Sequence, residues 1–139
     1  MEQLNYESVA VGNVLPAVTE GPITNIQLVK WAAGSGDFNA IHYDLNVAKQ
    51  QGLENVLIQG PLKAALVNKL LMELCGQTGH IRRVKSTYSG MDIAGNTLTC
   101  TVTITGKYEE NGARCVACTY IMTNQEGRTT VKGDAVLEL

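Results

Sequence analysis

Gly60-Pro61-Leu62-Lys63-Ala64-Ala65-Leu66-Val67-Asn68-Lys69-Leu70-Leu71-Met72-Glu73-Leu74-Cys75-Gly76 is the stretch on which the fold turns. Proline at its start and glycine just past its end are the punctuation expected of a helix. Its polar residues, Lys63, Asn68, Lys69 and Glu73, do not gather into one broad face on a helical wheel. A helix that is apolar almost all round is enclosed by the rest of its domain.

Downstream, everything after Arg82 reads as strand. Leu98, Cys100, Val102 and Ile104 alternate with threonines, the period-two pattern of a half-buried strand. Asn111-Gly112 predicts a tight hairpin turn, and Gln125-Glu126-Gly127 a second turn before Arg128 to Leu139. Upstream, Val9, Val11 and Val14 ahead of Pro16 read as an arm or short strand. Thr24 and Gln27 form a capping box for a helix carrying Ile26, Leu28, Val29 and Trp31, which Gly34-Ser35-Gly36 ends. A loop from Asp37 to Asp44 follows, and Asp44 caps a short helix that Gly52 terminates. One long enclosed helix followed by three or four antiparallel strands gives an α+β fold, a curled antiparallel sheet wrapped around a long central helix.

Composition narrows the function. The 139 residues fit one domain spanning 1–139, with no repeat or linker. A formal net charge of −2 excludes a nucleic-acid binder that relies on counterion release, and no basic cluster suits an anionic membrane. No secretory or transmembrane segment is evident, which points to the cytoplasm. Charged residues make up 17%, against about 25% for typical soluble domains, which suggests surface buried against another subunit. Cys115 and Cys118 form a C-x-x-C inside a strand, where residues three apart face opposite sides, and no second ligand pair completes a zinc site. With Cys75 and Cys100 they read as buried structural thiols, and no metal is expected.

The chemistry concentrates in Gly36-Asp37-Phe38-Asn39-Ala40-Ile41-His42, which sets a carboxylate, a carboxamide and an imidazole on one loop behind a helix break. Asp37 and His42 can hold one water between them, take a proton from it and deliver one to carbon. The alternative on these residues alone is that Asp37 caps a turn and His42 is a satisfied core histidine. Gly34-x-Gly36 is no dinucleotide loop, because it follows a helix and lacks the third glycine.

The run Trp31 to Asp44 resembles the hydratase motif of MaoC-like (R)-specific enoyl-CoA hydratases, a small-residue turn followed by G-D-x-N-P-[ILV]-H. In that family a glycine opens the central helix, often as H-G-M; here the region reads Ile58-Gln59-Gly60-Pro61-Leu62. The resemblance runs through most of the chain and implies a hot-dog fold and reversible syn hydration of a trans-2-enoyl-CoA, with no cofactor. Carried over by position, it implies Asp37 and His42 as the catalytic pair. It implies Asn39 as the residue orienting loop and substrate, and Gly60 as the amide donor to the thioester oxygen. The last role follows helix physics, since the first N–H groups of a helix are unpaired and lie at its positive end. Ala40 replaces the motif's proline, Gln59 a common histidine, and Lys63 a small or hydroxylated residue. Lys63 in the helix's first turn is read as solvated or facing the coenzyme pyrophosphate, or else as marking a different acyl class.

Arg82, Arg83 and Lys85 are read as solvated or as reaching the coenzyme phosphates, and His80 as a loop residue. Leu28, Val29, Leu66 and Leu70 are candidates for core or acyl tunnel. The family resemblance also implies at least a dimer, homomeric or heteromeric, with sheets paired edge to edge. Two other readings remain: a non-catalytic partner subunit that binds acyl-CoA, and a hot-dog thioesterase.

Overall fold

A computed structural model of the chain describes residues 2–139. In chain order it contains β1 (Val18–Glu20), α1 (Asn25–Ser35), a 3-10 turn (Ala40–His42), α2 (Leu45–Gln50), α3 (Gly60–Cys75), β2 (His80–Tyr88), β3 (Leu98–Glu110), β4 (Ala113–Asn124) and β5 (Thr129–Glu138). The strands form one antiparallel sheet in the order β1-β3-β4-β5-β2. The expected α+β layout is realised, with four strands after the long helix and the short β1 ahead of it.

Local chemistry explains most element ends. Thr24 accepts the Gln27 N–H while Gln27 Oε1 accepts the Thr24 N–H, so the capping box is complete. Gly36 closes α1 at φ 74°, a conformation that costs glycine little. Asp44 Oδ1 accepts from the Asn46 and Val47 amides and starts α2. Asn111 and Gly112, at φ 52° and 81°, turn β3 into β4 as a primed hairpin requires.

The core lies between α3 and one face of the sheet. Cys100, Val102 and Ile104 of β3 pair with Met122, Tyr120 and Cys118 of β4, all buried, and Leu98 packs into the same core opposite Asn124. Val67, Leu70, Leu71 and Leu74 of α3 join them in one cluster. Each fully buried leucine contributes about 1.5–3 kcal/mol, and cutting Leu71 to alanine costs about 2–5 kcal/mol. At Gly133 an added methyl would meet the Lys85 carbonyl and the Tyr120 ring. The Tyr120 hydroxyl donates to that carbonyl at 2.8 Å and therefore accepts from Ser86 at 2.7 Å, fastening β2 to the sheet.

Several sequence expectations need correction. Of the two readings for the segment ahead of Pro16, the arm holds and the short strand does not: Val14 makes only an isolated bridge to Thr103, Val11 and Val14 are exposed, and the first strand follows Pro16. Strand does not run on from Arg82: β2 starts at His80 and ends at Tyr88, and residues 89–97 form a connection anchored on the helix side. His80 thus opens a strand and pairs with Glu138. Helix α3 is enclosed on one side only, with Lys69, Met72 and Glu73 exposed. Val29 is exposed too, so it belongs to neither core nor tunnel in this protomer. All four cysteines are free and buried, as expected.

Candidate active site

The loop after α1 is tightly self-bonded. Ser35 Oγ donates to the Trp31 carbonyl and accepts the Asp37 amide, carrying the helix end into the loop. Asn39 accepts the Ile41 N–H at 3.2 Å and so caps the 3-10 turn, while its own amide donates to Asp37 Oδ1 at 3.3 Å. That places Asn39 as the shaper of the loop. Missing proline at position 40 is compensated by this cap, and Ala40 begins the turn. The Tyr43 hydroxyl donates to the Phe38 carbonyl at 2.9 Å and closes the loop from outside.

His42, on that turn, is buried, and its Nδ1 lies 2.7 Å from the Leu57 carbonyl. A carbonyl only accepts, so Nδ1 carries a proton, and in the neutral ring the lone pair lies at Nε2. That nitrogen lies 3.6 Å from Asp37 Oδ2, whose side chain is 40% exposed. Two acceptors face each other across a gap too long for a strong direct bond. A donor with two hydrogens, such as water, would satisfy both.

The Leu57 carbonyl couples this pair to α3. The Leu57 amide also donates to the Ile41 carbonyl at 3.0 Å, so the Asp37–His42 loop and the segment entering α3 are paired at both groups of one residue. Gly60 lies three residues on, first in α3, and its N–H has no partner within the helix. Pro61 has no N–H at all, which leaves the Gly60 amide clear of a neighbouring donor. The Tyr88 ring lies against Gly60, at 3.4 Å from where a Cβ would sit. Tyr88 thus borders the start of α3, and nothing in its sequence context marked it out.

Gln59 does not stand in for a titrating histidine. It is fully buried and donates through Nε2 to the Leu28 carbonyl at 3.1 Å, tying α3 to α1. Lys63 departs furthest from its expected setting. It is neither solvated nor free for a pyrophosphate: its side chain is 3% exposed and its Nζ lies 2.9 Å from Asp92 Oδ2. Asp92 was not singled out in the sequence. Arg82 and Arg83 are likewise engaged, with Glu110 and Glu138 and with Asp134 respectively, while Lys85 stays exposed. Leu66 and Leu70 line a cleft of about 40 Å³ beside β1 and β3, the space of a water rather than an acyl chain.

The sequence profile described as "MaoC like domain" matches residues 7–126. Among solved structures, the chain resembles an (R)-hydratase from A. caviae involved in PHA biosynthesis, at 25% identity and a TM-score of 0.85, covering 96% of this chain and 98% of that one. An R-hydratase from Pseudomonas aeruginosa, in its unliganded form, is similar at 24% identity and TM-score 0.84, over 95% of this chain and 83% of that one. A further resemblance is to the ChsH1-ChsH2 complex from Mycobacterium tuberculosis, at 20% identity and TM-score 0.80, over 94% and 98% of the two chains. No curated protein sequence matches this one. The fold is the hot-dog fold of these neighbours.

Proposed function

This chain belongs to the MaoC-like domain family, and from that membership we propose that it is an (R)-specific enoyl-CoA hydratase. It adds water reversibly and syn across a trans-2-enoyl-CoA, giving an (R)-3-hydroxyacyl-CoA. The observation that carries this reading is the 3.6 Å gap between Asp37 Oδ2 and His42 Nε2, with the other imidazole nitrogen committed to Leu57.

In this reading a water donates one hydrogen to each of the two acceptors. Its oxygen attacks Cβ, the C=C π electrons move toward the thioester, and the pair takes up one proton. The thioester oxygen, now enolate-like, is met by the Gly60 amide at the positive end of α3. The pair then returns one proton to Cα, so the net change is H and OH added on one face. Hydration is redox-neutral, and the reading requires no cofactor. Losing one oxyanion donor costs about 3 kcal/mol of barrier, so the Gly60 amide would account for a substantial share.

We also take the working unit to be at least a dimer, of two copies or with a related chain. The support is β2, an edge strand whose outer side has no partner among the described residues, and the half-open pair beside it. We assign the protein to the cytoplasm, in keeping with its four unpaired cysteines. No helix of the described residues is long and apolar enough to cross a membrane.

The test is to follow enoyl absorbance and thiol release together on crotonyl-CoA and bulkier enoyl-CoAs. Loss of enoyl absorbance without thiol release is expected. Thiol release instead would make it a thioesterase. Retained acyl-CoA binding with neither change would favour a partner subunit, a reading that the resemblance to a two-protein complex keeps in view. Light scattering at micromolar concentration should give twice the protomer mass or more; a monomer contradicts the assembly.

A further inference from the structure

Lysine and aspartate are among the residues least suited to an interior, yet Lys63 and Asp92 are 3% and 0% exposed at their side chains. The Lys63 ammonium donates to Asp92 Oδ2 at 2.9 Å and to the Gly90 carbonyl at 3.0 Å. The other Asp92 oxygen accepts from Asn124 Nδ2 at 3.2 Å. A buried pair of this kind stabilises poorly, because desolvation offsets the attraction, and apolar residues of similar volume often do as well or better. What the pair does supply is geometry.

Asp92 grips the segment Leu57–Lys63 at two points. Its carbonyl accepts the Ile58 N–H at 2.8 Å, and its carboxylate takes Lys63. Between those grips lies Gly60. Immediately before them lies Leu57, whose carbonyl holds the His42 imidazole. The bridge extends back through the Ala94 amide on the Val56 carbonyl at 2.9 Å and Asn55 Nδ2 on the Ala94 carbonyl at 2.9 Å. One residue outside the catalytic loop therefore braces both the anchor of the imidazole and the mouth of the helix.

We propose that Lys63, Asp92 and Asn124 are positioning residues of the candidate active site, setting the placement of the His42 anchor relative to the Gly60 amide. Their effect on turnover rests on the hydratase reading; their effect on the imidazole does not. A short ion pair holds its distance more stiffly than an apolar contact that can slide. Misplacement by about 1 Å costs on the order of 100-fold in rate.

The test is the double variant Lys63→Met/Asp92→Leu, which removes both charges and keeps the interior filled. Its melting temperature should stay close to that of the parent. The downfield proton resonance of His42 Nδ1–H, identified by its loss in His42→Gln, should shift or broaden. On crotonyl-CoA, kcat should fall about 10- to 100-fold while KM changes little. A folded double variant with that resonance and kcat both unmoved overturns the proposal. If the double variant does not fold, Asn124→Ser carries the same test with smaller expected changes, and an unmoved resonance with unmoved kcat overturns it equally. Should the parent prove inactive on every acyl thioester, the proposed function falls, while the resonance still decides the positioning.

Discussion

Two acid–base pairs lie near the first turn of α3, and they differ in nearly everything except composition. Lys63 and Asp92 meet at 2.9 Å, sealed from solvent, with further partners at Gly90 and Asn124. His42 and Asp37 stand 3.6 Å apart, with the aspartate 40% exposed. The sealed pair is closed off from solvent and so from any substrate atom. The open pair has two acceptors and no shared donor, so it has capacity left for chemistry. Under the proposed function, reactivity belongs to the open pair, and the sealed one holds the frame.

The contrast breaks most sharply at Asp37. Asp37→Asn should cut crotonyl-CoA turnover by about 1,000-fold, since one member of a general acid–base pair supplies about 10²–10⁴. Its thermal unfolding should barely change, because that carboxylate is 40% exposed and accepts the Asn39 amide through an oxygen that the variant keeps. Near-parent turnover in Asp37→Asn would sink the assignment of roles.

Asp92→Leu alone should behave in the opposite sense. It strands the Lys63 charge in the interior and should lower unfolding free energy in urea by about 3–5 kcal/mol. A loss as small as that of a surface mutant would show that Lys63 finds water in the native state.

The fate of a buried ionisable group without a counter-charge appears at Cys100 and Cys118. Burial pushes both thiols up to about 11 from 9.0. A raised thiol pKa means that the folded state keeps its proton while the unfolded chain loses it. Stability should therefore decline as pH rises from about 9 to 11, and Cys100→Ala/Cys118→Ala should show a shallower decline in urea titrations across that window. Equal slopes would mean that the two thiols are not withdrawn from water.

A smaller effect is expected at Thr24→Ala, which removes the cap of the helix that delivers Asp37. About 1 kcal/mol should be lost, with turnover reduced far less than in Asp37→Asn. Least of all should come from a third pair, Lys69 with Glu20, short at 2.7 Å but exposed. Lys69→Gln should leave the melting temperature unchanged within error, since solvent screening cancels what the short distance suggests. A clear drop there would make distance, rather than burial, the property that separates the two pairs compared above.

Much of the frame was legible because it is encoded over short stretches. Caps at Thr24 and Asp44, the stop at Gly36, the alternation of Leu98 to Ile104 and the turn at Asn111-Gly112 each depend on residues a few positions apart. The Asp37–His42 pair was legible for the same reason, with a dense motif on one loop. The first strand was not read because Val18–Glu20 is only three residues long and exists by pairing with Thr99 and its neighbours. Lys63 was misread because a lysine in a first helical turn is usually solvated, and its sequence context carries no sign of the enclosure that the connection 89–97 provides.

By itself the sequence determined most of the elements, the α+β class and the identity of the candidate catalytic groups, all of which follow from local periodicity, capping and one compact motif. Tertiary structure alone decided that the Leu57 carbonyl fixes the His42 tautomer, and that among thirteen acidic residues it is Asp92 that meets Lys63. Those choices join residues 15 and 29 positions apart. They are set by how the helix, the sheet and the connection between β2 and β3 close on one another, and a buried charge states only that it needs a partner, never which one.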